Sequence, residues 1–291
     1  MSNTTSSPAS GRSGPAAIVG VLLLVLLAAC TPASGEPAAD TGADPGAAVV
    51  ACPNEQPASS GALILLVGVH ANAPRPDVPA MLACEIRTGL QAGNPVSVVA
   101  LDGDPAAVDT IRFASTAKND AAIQDDMTEA ENRVLSAVRG AQATSDGSDL
   151  VAGLNVAADL AASQGSQHAR IVVIDSGLPD RGALNMTTPG MIGADPAEVA
   201  DFLADQRALD KLAGMTVDLV GVSYTTSPQQ SPTPWMLDNV TAILRKSLTA
   251  AGASVRVRPA PRTAEALNTT FVTTPAPLTA TPEFTPNRTT V

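Results

Sequence analysis

Four short runs in this chain carry apolar side chains in succession rather than in alternation. They are 62–69 (ALILLVGV), 96–101 (VSVVAL), 171–174 (IVVI) and 216–222 (TVDLVGV). A strand with one face in water alternates apolar and polar residues. One that does not alternate has to be covered on both faces, and parallel sheets sandwiched between helices are where such strands occur. The stretch 148–177 repeats the pattern with its helix attached. Leu150, Leu154, Ala157, Ala158 and Ala161 recur at helical spacing and give one apolar stripe. Polar residues at 164–168 break it, the strand IVVI follows, and Asp175-Ser176-Gly177 stands where the strand runs out. Open parallel sheets place their binding crevice at such strand ends.

The remaining segments fit the same scheme. The spacing predicts helices over 78–90 (Leu82, Ile86, Leu90), 120–143 (Ile123, Met127, Val134, Val138) and 235–251 (Leu237, Val240, Leu244, Leu248). A further helix is predicted from Asp195-Pro196, with proline in its first turn, to about Leu212. A short edge strand is expected at 110–114, and the alternating 254–258 suits a second edge. Aromatic residues make up only 2% of the chain, so its core has to be built from Val, Leu, Ile and Ala. The expectation is one α/β domain over 61–260, a mostly parallel sheet with helices on both faces. Residues 261–291 read as a Thr/Pro-rich tail.

Ahead of the domain, residues 1–29 have the parts of a secretory leader. A polar start with a single positive charge, Arg12, precedes an apolar run at 16–27 and then Leu27-Ala28-Ala29-Cys30. That ending resembles the lipobox of bacterial lipoproteins. The resemblance implies removal of 1–29, lipidation of Cys30 with palmitate-type chains, and a domain held outside the cell membrane by its N-terminal lipid. Residues 30–60, rich in Ala, Pro, Gly and Asp, read as a flexible tether. In an oxidising compartment Cys52 and Cys84 are expected to pair as a disulfide, with two unpaired thiols as the alternative. Such a bridge would close a loop of about 30 residues and add about 3–4 kcal/mol. The net charge of -11 and the lack of any basic cluster argue against nucleic-acid binding.

The order of elements is similar to the von Willebrand factor A fold, best at 148–177. More narrowly, the lipobox with VGVHANAP (67–74), VIDSGLPD (173–180), LVGVSYTTSPQQ (219–230) and Ala251-Gly252-Ala253 resembles the N-terminal region of actinobacterial OmpA-family lipoproteins. In that family a von Willebrand-like region precedes an OmpA-like peptidoglycan-binding domain. Residues 278–291 resemble the opening of such a domain, so the tail is expected to be its remnant, without the wall-binding residues. The family's metal site takes Asp-x-Ser-x-Ser at the end of the first strand, where this chain has Gly68, His70 and Asn72. Ser148 and Asp175 match later positions of that site. The resemblance therefore implies a polar crevice of His70, Asn72, Asp102, Ser148, Asp175 and Ser176, with no metal and no cofactor.

Other chemistry finds little support. Ser176 and Ser223 lack the Gly-x-Ser-x-Gly elbow, and there is no phosphate loop, no Gly-x-Gly-x-x-Gly after the first strand and no His-Glu-x-x-His. His168 reads as a solvated turn residue and His70 as a loop histidine at the crevice edge. Asp125, Asp126, Glu129 and Glu131 read as a solvated helix face, and Trp235 as a helix-start anchor against the core. The expected function is a non-enzymatic, membrane-anchored extracytoplasmic lipoprotein that binds a protein or envelope component through loops 70–76, 102–105, 145–149 and 176–188. Two alternatives are a divalent-metal-dependent adhesion domain and a small hydrolase using His70 with Ser148 or Ser176.

Overall fold

The computed structural model describes residues 61–222, 224–258 and 265–278. The leader, Cys30, the tether and Cys52 lie outside the described residues. Strands β1 (Leu63–Gly68), β2 (Val96–Leu101), β3 (Ala106–Ile111), β4 (Arg170–Ile174), β5 (Thr216–Val220) and β6 (Ser254–Arg258) form one sheet. Its order is β3-β2-β1-β4-β5-β6. All neighbours are parallel except β2 and β3, which are antiparallel. The chain builds outward from β1 to one edge, then returns to lay β4, β5 and β6 toward the other. The direction of winding therefore reverses between β1 and β4, and a crevice opens at their carboxyl ends. This is the von Willebrand factor A-like α/β fold.

Helices α1 (Ala80–Gln91) and α2 (Asp120–Gly140) cover one face. Helices α3 (Leu150–Ser163), α4 (Pro196–Asp205) and α5 (Pro234–Ala250) cover the other. Strand β1 shows why its sequence has no polar face. Leu63, Leu65 and Val67 pack toward α1 and α2, while Ile64 and Leu66 pack toward the other layer. Asn119, Asp149 and Asp195 accept hydrogen bonds from the first-turn amides of α2, α3 and α4, satisfying donors that a helix start leaves without partners.

Several elements depart from the sequence expectation. The edge strand is Ala106–Ile111 rather than 110–114, and three of its residues are exposed. It is held by backbone pairing with β2 and by Ser97 Oγ against Thr110 Oγ1 at 3.0 Å, so it needs no apolar run to announce it. The helix expected to run to Leu212 ends at Asp205, where Arg207 takes φ 54. A separate 3-10 turn, Asp210–Leu212, supplies the later apolar positions, and Leu209 and Leu212 are buried there as a continued helix would have buried them. Trp235 does not anchor the core; it is 48% exposed. Glu131 is not a plain solvated acid, because it pairs bidentately with Arg87 of α1. The Thr/Pro-rich segment beyond 260 is part of the domain as far as it is described, since Thr273 and Ala276 are buried.

Asp218 interrupts the otherwise apolar β5, and its side chain is fully buried. The neighbouring strands supply the compensation. Arg170 of β4 pairs with it, and Arg256 Nε and Arg258 Nε of β6 approach it at 2.6 and 3.2 Å. Glu85 of α1 accepts from Arg170 Nη2 at 2.5 Å and Arg258 Nη1 at 3.0 Å, which closes the cluster. The network lies on the face that carries α1. Removing Asp218 leaves the largely buried Arg170 and Arg258 short of a counter-charge, while Arg256 is half-exposed. Asp218→Ala is expected to cost about 3–5 kcal/mol. At about 2–4 °C per kcal/mol for a domain of this size, thermal melts would record a loss of roughly 10 °C.

Candidate functional site

The site sits where β1 and β4 run out. His70 lies just past β1 and Asp175 just past β4, and the two strands are adjacent and parallel. Parallel register therefore delivers both side chains to the same edge. His70 Nε2 meets Asp175 Oδ1 at 2.7 Å, with the side chains 1% and 0% exposed. The second oxygen, Oδ2, accepts from Gly177 N at 2.7 Å. Burial alone would push the Asp175 carboxyl up. The charge and hydrogen bond of His70, with the backbone amides of Gly177 and Ser176, outweigh that and hold it below the usual carboxylate range. His70 is therefore not the loop histidine expected from sequence but the buried partner of a carboxylate.

Gly68 explains why this pair and the family's metal arrangement exclude each other. A Cβ at position 68 would lie 2.1 Å from Asp175 Oδ1. The place where the metal-binding pattern puts its first carboxylate is thus filled by Asp175, whose Oδ1 is bonded to His70. Among the described residues no group of three or more His, Cys, Asp or Glu side chains converges as a ligand set. The residues at this edge do not fit the metal mode that the fold family uses.

The other residues expected in the crevice are gathered here as well. Asp102, at the end of β2, accepts from Thr144 N at 2.6 Å and Ser145 N at 2.9 Å through Oδ2, and from Asp104 N at 2.9 Å through Oδ1. Its own carbonyl accepts from Asp149 N, so it fixes the loop that leads into α3. Ser148 is fully buried at the end of that loop, and its amide donates to Asp180 Oδ1 at 2.7 Å. Ser176 Oγ accepts from Leu178 N at 3.4 Å. Neither serine oxygen hydrogen-bonds His70 among the described residues. His70 Nδ1, Asn72 Oδ1 and Ser148 Oγ are buried and meet no partner there. His168 stands apart and exposed, at 3.3 Å from the Gly214 carbonyl.

Sequence reasoning missed the segment that lies on this edge. Residues 265–278 return from beyond β6 and run over the loops. Arg75 N donates to the Glu265 carbonyl, and Pro74 and Ala266 form an antiparallel bridge. Further on, Val272 N donates to Asp146 Oδ1 at 2.7 Å, and the Val272 carbonyl accepts from Gly147 N at 2.8 Å. Thr274 N donates to Asp180 Oδ2 at 2.6 Å, and its carbonyl accepts from Asn72 Nδ2 at 3.4 Å. Gln229 grips Ala276 from both sides, Oε1 accepting from its amide at 2.7 Å and Nε2 donating to its carbonyl at 3.3 Å. Between them Thr273 is inserted, its Oγ1 accepting from Ala71 N at 3.2 Å. Asp180, Asp146 and Gln229 thus belong to the site. Their only mark in the sequence was membership of the VIDSGLPD and LVGVSYTTSPQQ segments and of the loop before α3.

No family model matches the chain, and no curated protein does. Among solved structures it is similar to a conserved hypothetical protein BatB from Bacteroides thetaiotaomicron, at 14% identity over 69% of this chain and 91% of that one, TM-score 0.35. It is similar also to a mutant PilB minor pilin from Streptococcus sanguinis, at 11% identity over 72% of this chain and 58% of that one, TM-score 0.38. A von Willebrand factor type A protein from Catenulispora acidiphila matches at 16% identity over 69% of this chain and 39% of that one, TM-score 0.29. The fold assignment rests on the strand order and directions given above.

Two outcomes follow from the buried pair. Gly68→Ala is expected to displace Asp175 from His70 and lower stability by about 3 kcal/mol, read as a shift in denaturant midpoint. Because the Asp175 carboxyl is held below its unfolded value of about 3.9, its contribution is present above that pH and is lost as pH falls through the folded value. Melting temperature against pH should therefore fall more steeply below about pH 4 in the parent than in Asp175→Asn.

Proposed function

We propose that the chain is a membrane-anchored extracytoplasmic lipoprotein whose von Willebrand factor A-like domain binds a protein or envelope component without catalysing a reaction. The single observation that carries the binding half of this reading is the convergence of four loops at the carboxyl edge of the parallel sheet. Loops after β1, β2 and β4 and the loop before α3 are cross-linked there by Asp102, Asp175 and Asp180. These carboxylates receive backbone amides or a buried imidazole, so they stiffen the loops that form this edge. The lipobox, Leu27-Ala28-Ala29-Cys30, supports the anchoring half. Two or three acyl chains on Cys30 would supply the multiple hydrophobic signals that stable anchoring requires.

In the same reading Cys52 pairs with Cys84, which is buried on α1, and joins the tether to the domain. The resemblance to OmpA-family lipoproteins makes the cell envelope the compartment in which the partner is sought. The test is fractionation in a bacterial host with lipoprotein processing. Wild type is expected in the membrane fraction and accessible to protease from outside, and Cys30→Ser is expected in the soluble extracytoplasmic fraction. An unchanged membrane location for Cys30→Ser would overturn the anchoring. Non-reducing peptide mapping should recover Cys52 and Cys84 in one linked peptide, and two separate alkylated peptides would refute the bridge.

A further inference from the structure

The segment lying over the site is held in a way that ordinary chain packing does not require. Val272, Thr274 and Ala276, every second residue, each have both the amide and the carbonyl bonded to the body of the domain. Most of those partners are side chains, namely Asp146, Asp180, Asn72 and Gln229, rather than another strand's backbone. Side chains placed at the spacing of an extended chain read a peptide by its main chain, as the edge of a sheet does. Specificity is supplied between these contacts. Thr273, 2% exposed, presents its hydroxyl to Ala71 N, and Ala276, 4% exposed, enters the hydrophobic core. Thr274 and Pro275, between them, are exposed.

Two of the residues around the segment also carry an oxygen without a partner among the described residues. Asn72 Oδ1 and Ser148 Oγ are buried without a partner, although Asn72 holds the Thr274 carbonyl and Ser148 shares Asp180 with the Thr274 amide. Buried polar atoms left so cost about 1–3 kcal/mol each.

We propose that this edge is a groove for an extended peptide of a partner protein, with a hydroxyl residue three positions before a small apolar one, and that residues 271–278 occupy it as an internal competitor. The proposal rests on the reading of the edge as the binding surface and names what it binds. In the resting chain the groove is closed by its own Thr273-Thr274-Pro275-Ala276, and an incoming segment displaces it.

The test uses the full chain and a fluorescein-labelled synthetic peptide with the sequence of residues 268–278. Thr274→Pro in the chain removes the amide that Asp180 accepts and leaves the groove's own side chains unchanged. By fluorescence anisotropy the peptide is expected to bind this variant about tenfold more tightly than wild type, the equivalent of one hydrogen bond lost from the competitor. Peptide N-methylated at the position of Thr274, or carrying Val at that of Thr273, should lose about tenfold on the variant. Equal binding to variant and wild type, or indifference to N-methylation, would overturn the proposal. Hydrogen exchange on wild type provides a second reading, independent of whether Thr274→Pro folds. The amides of Val272, Thr274 and Ala276 should exchange about a hundredfold faster than those of β1 and β4, as expected of a locally opening segment. Exchange at the global unfolding rate would make the segment a fixed part of the fold and overturn the competitor. Either failure, with Cys30-dependent membrane location intact, removes the peptide groove and leaves the lipoprotein reading standing.

Discussion

The structure depends on strands that have no polar face. Because β1 and most of β2, β4 and β5 present apolar side chains to both sides, helices have to cover both faces of the sheet. Polar chemistry is then expelled from the sheet's interior to the strand ends. That constraint, more than any motif, decides where a site can be. It also sets the terms for the polar side chains the strands do carry, such as Ser97 of β2, bonded to Thr110 and Gln164. Asp218 is tolerated within β5 only because Arg170 comes from one neighbouring strand and Arg256 and Arg258 from the other. A buried carboxylate without such neighbours would be protonated or would unfold the strand.

At the carboxyl edge the same logic governs the acids. Asp102 and Asp180 each accept two or more backbone amides, and Asp175 accepts one amide and the imidazole of His70. A carboxylate whose lone pairs are occupied in this way is a fixed receptor and a loop clamp. The His70–Asp175 pair adds a constraint of its own. It fills the volume beside Gly68, so a side chain there would have to push Asp175 away from His70.

How much of this could be read in advance follows from the range of the interactions. The four apolar strands and the stripes of α1, α2, α3 and α5 were legible because period and composition are local. That His70, Asp102 and Asp175 would come to one edge was legible because parallel register carries strand ends there. The pairing of His70 with Asp175 was not, since nothing nearby in sequence distinguishes a buried histidine from a solvated one. The segment at 265–278 was illegible for the same reason in stronger form. Its contacts with Asn72, Asp180 and Gln229 span much of the chain, and its Thr/Pro composition matches that of a linker. Where helix periodicity failed, at Arg207, a left-handed residue without glycine hid the break.

The consequence of closing a groove with a segment of the same chain is quantitative. A short tether presents its end at an effective concentration on the order of 1 mM. Were the segment's intrinsic affinity also about 1 mM, the groove would stand open half the time; at about 10 µM it would be open roughly 1% of the time, and a partner's apparent affinity would fall about a hundredfold. From 271 to 277 only Thr273 and Ala276 are buried, and Leu278 packs partly against the core, so side-chain receptors for the main chain carry much of the hold on the segment.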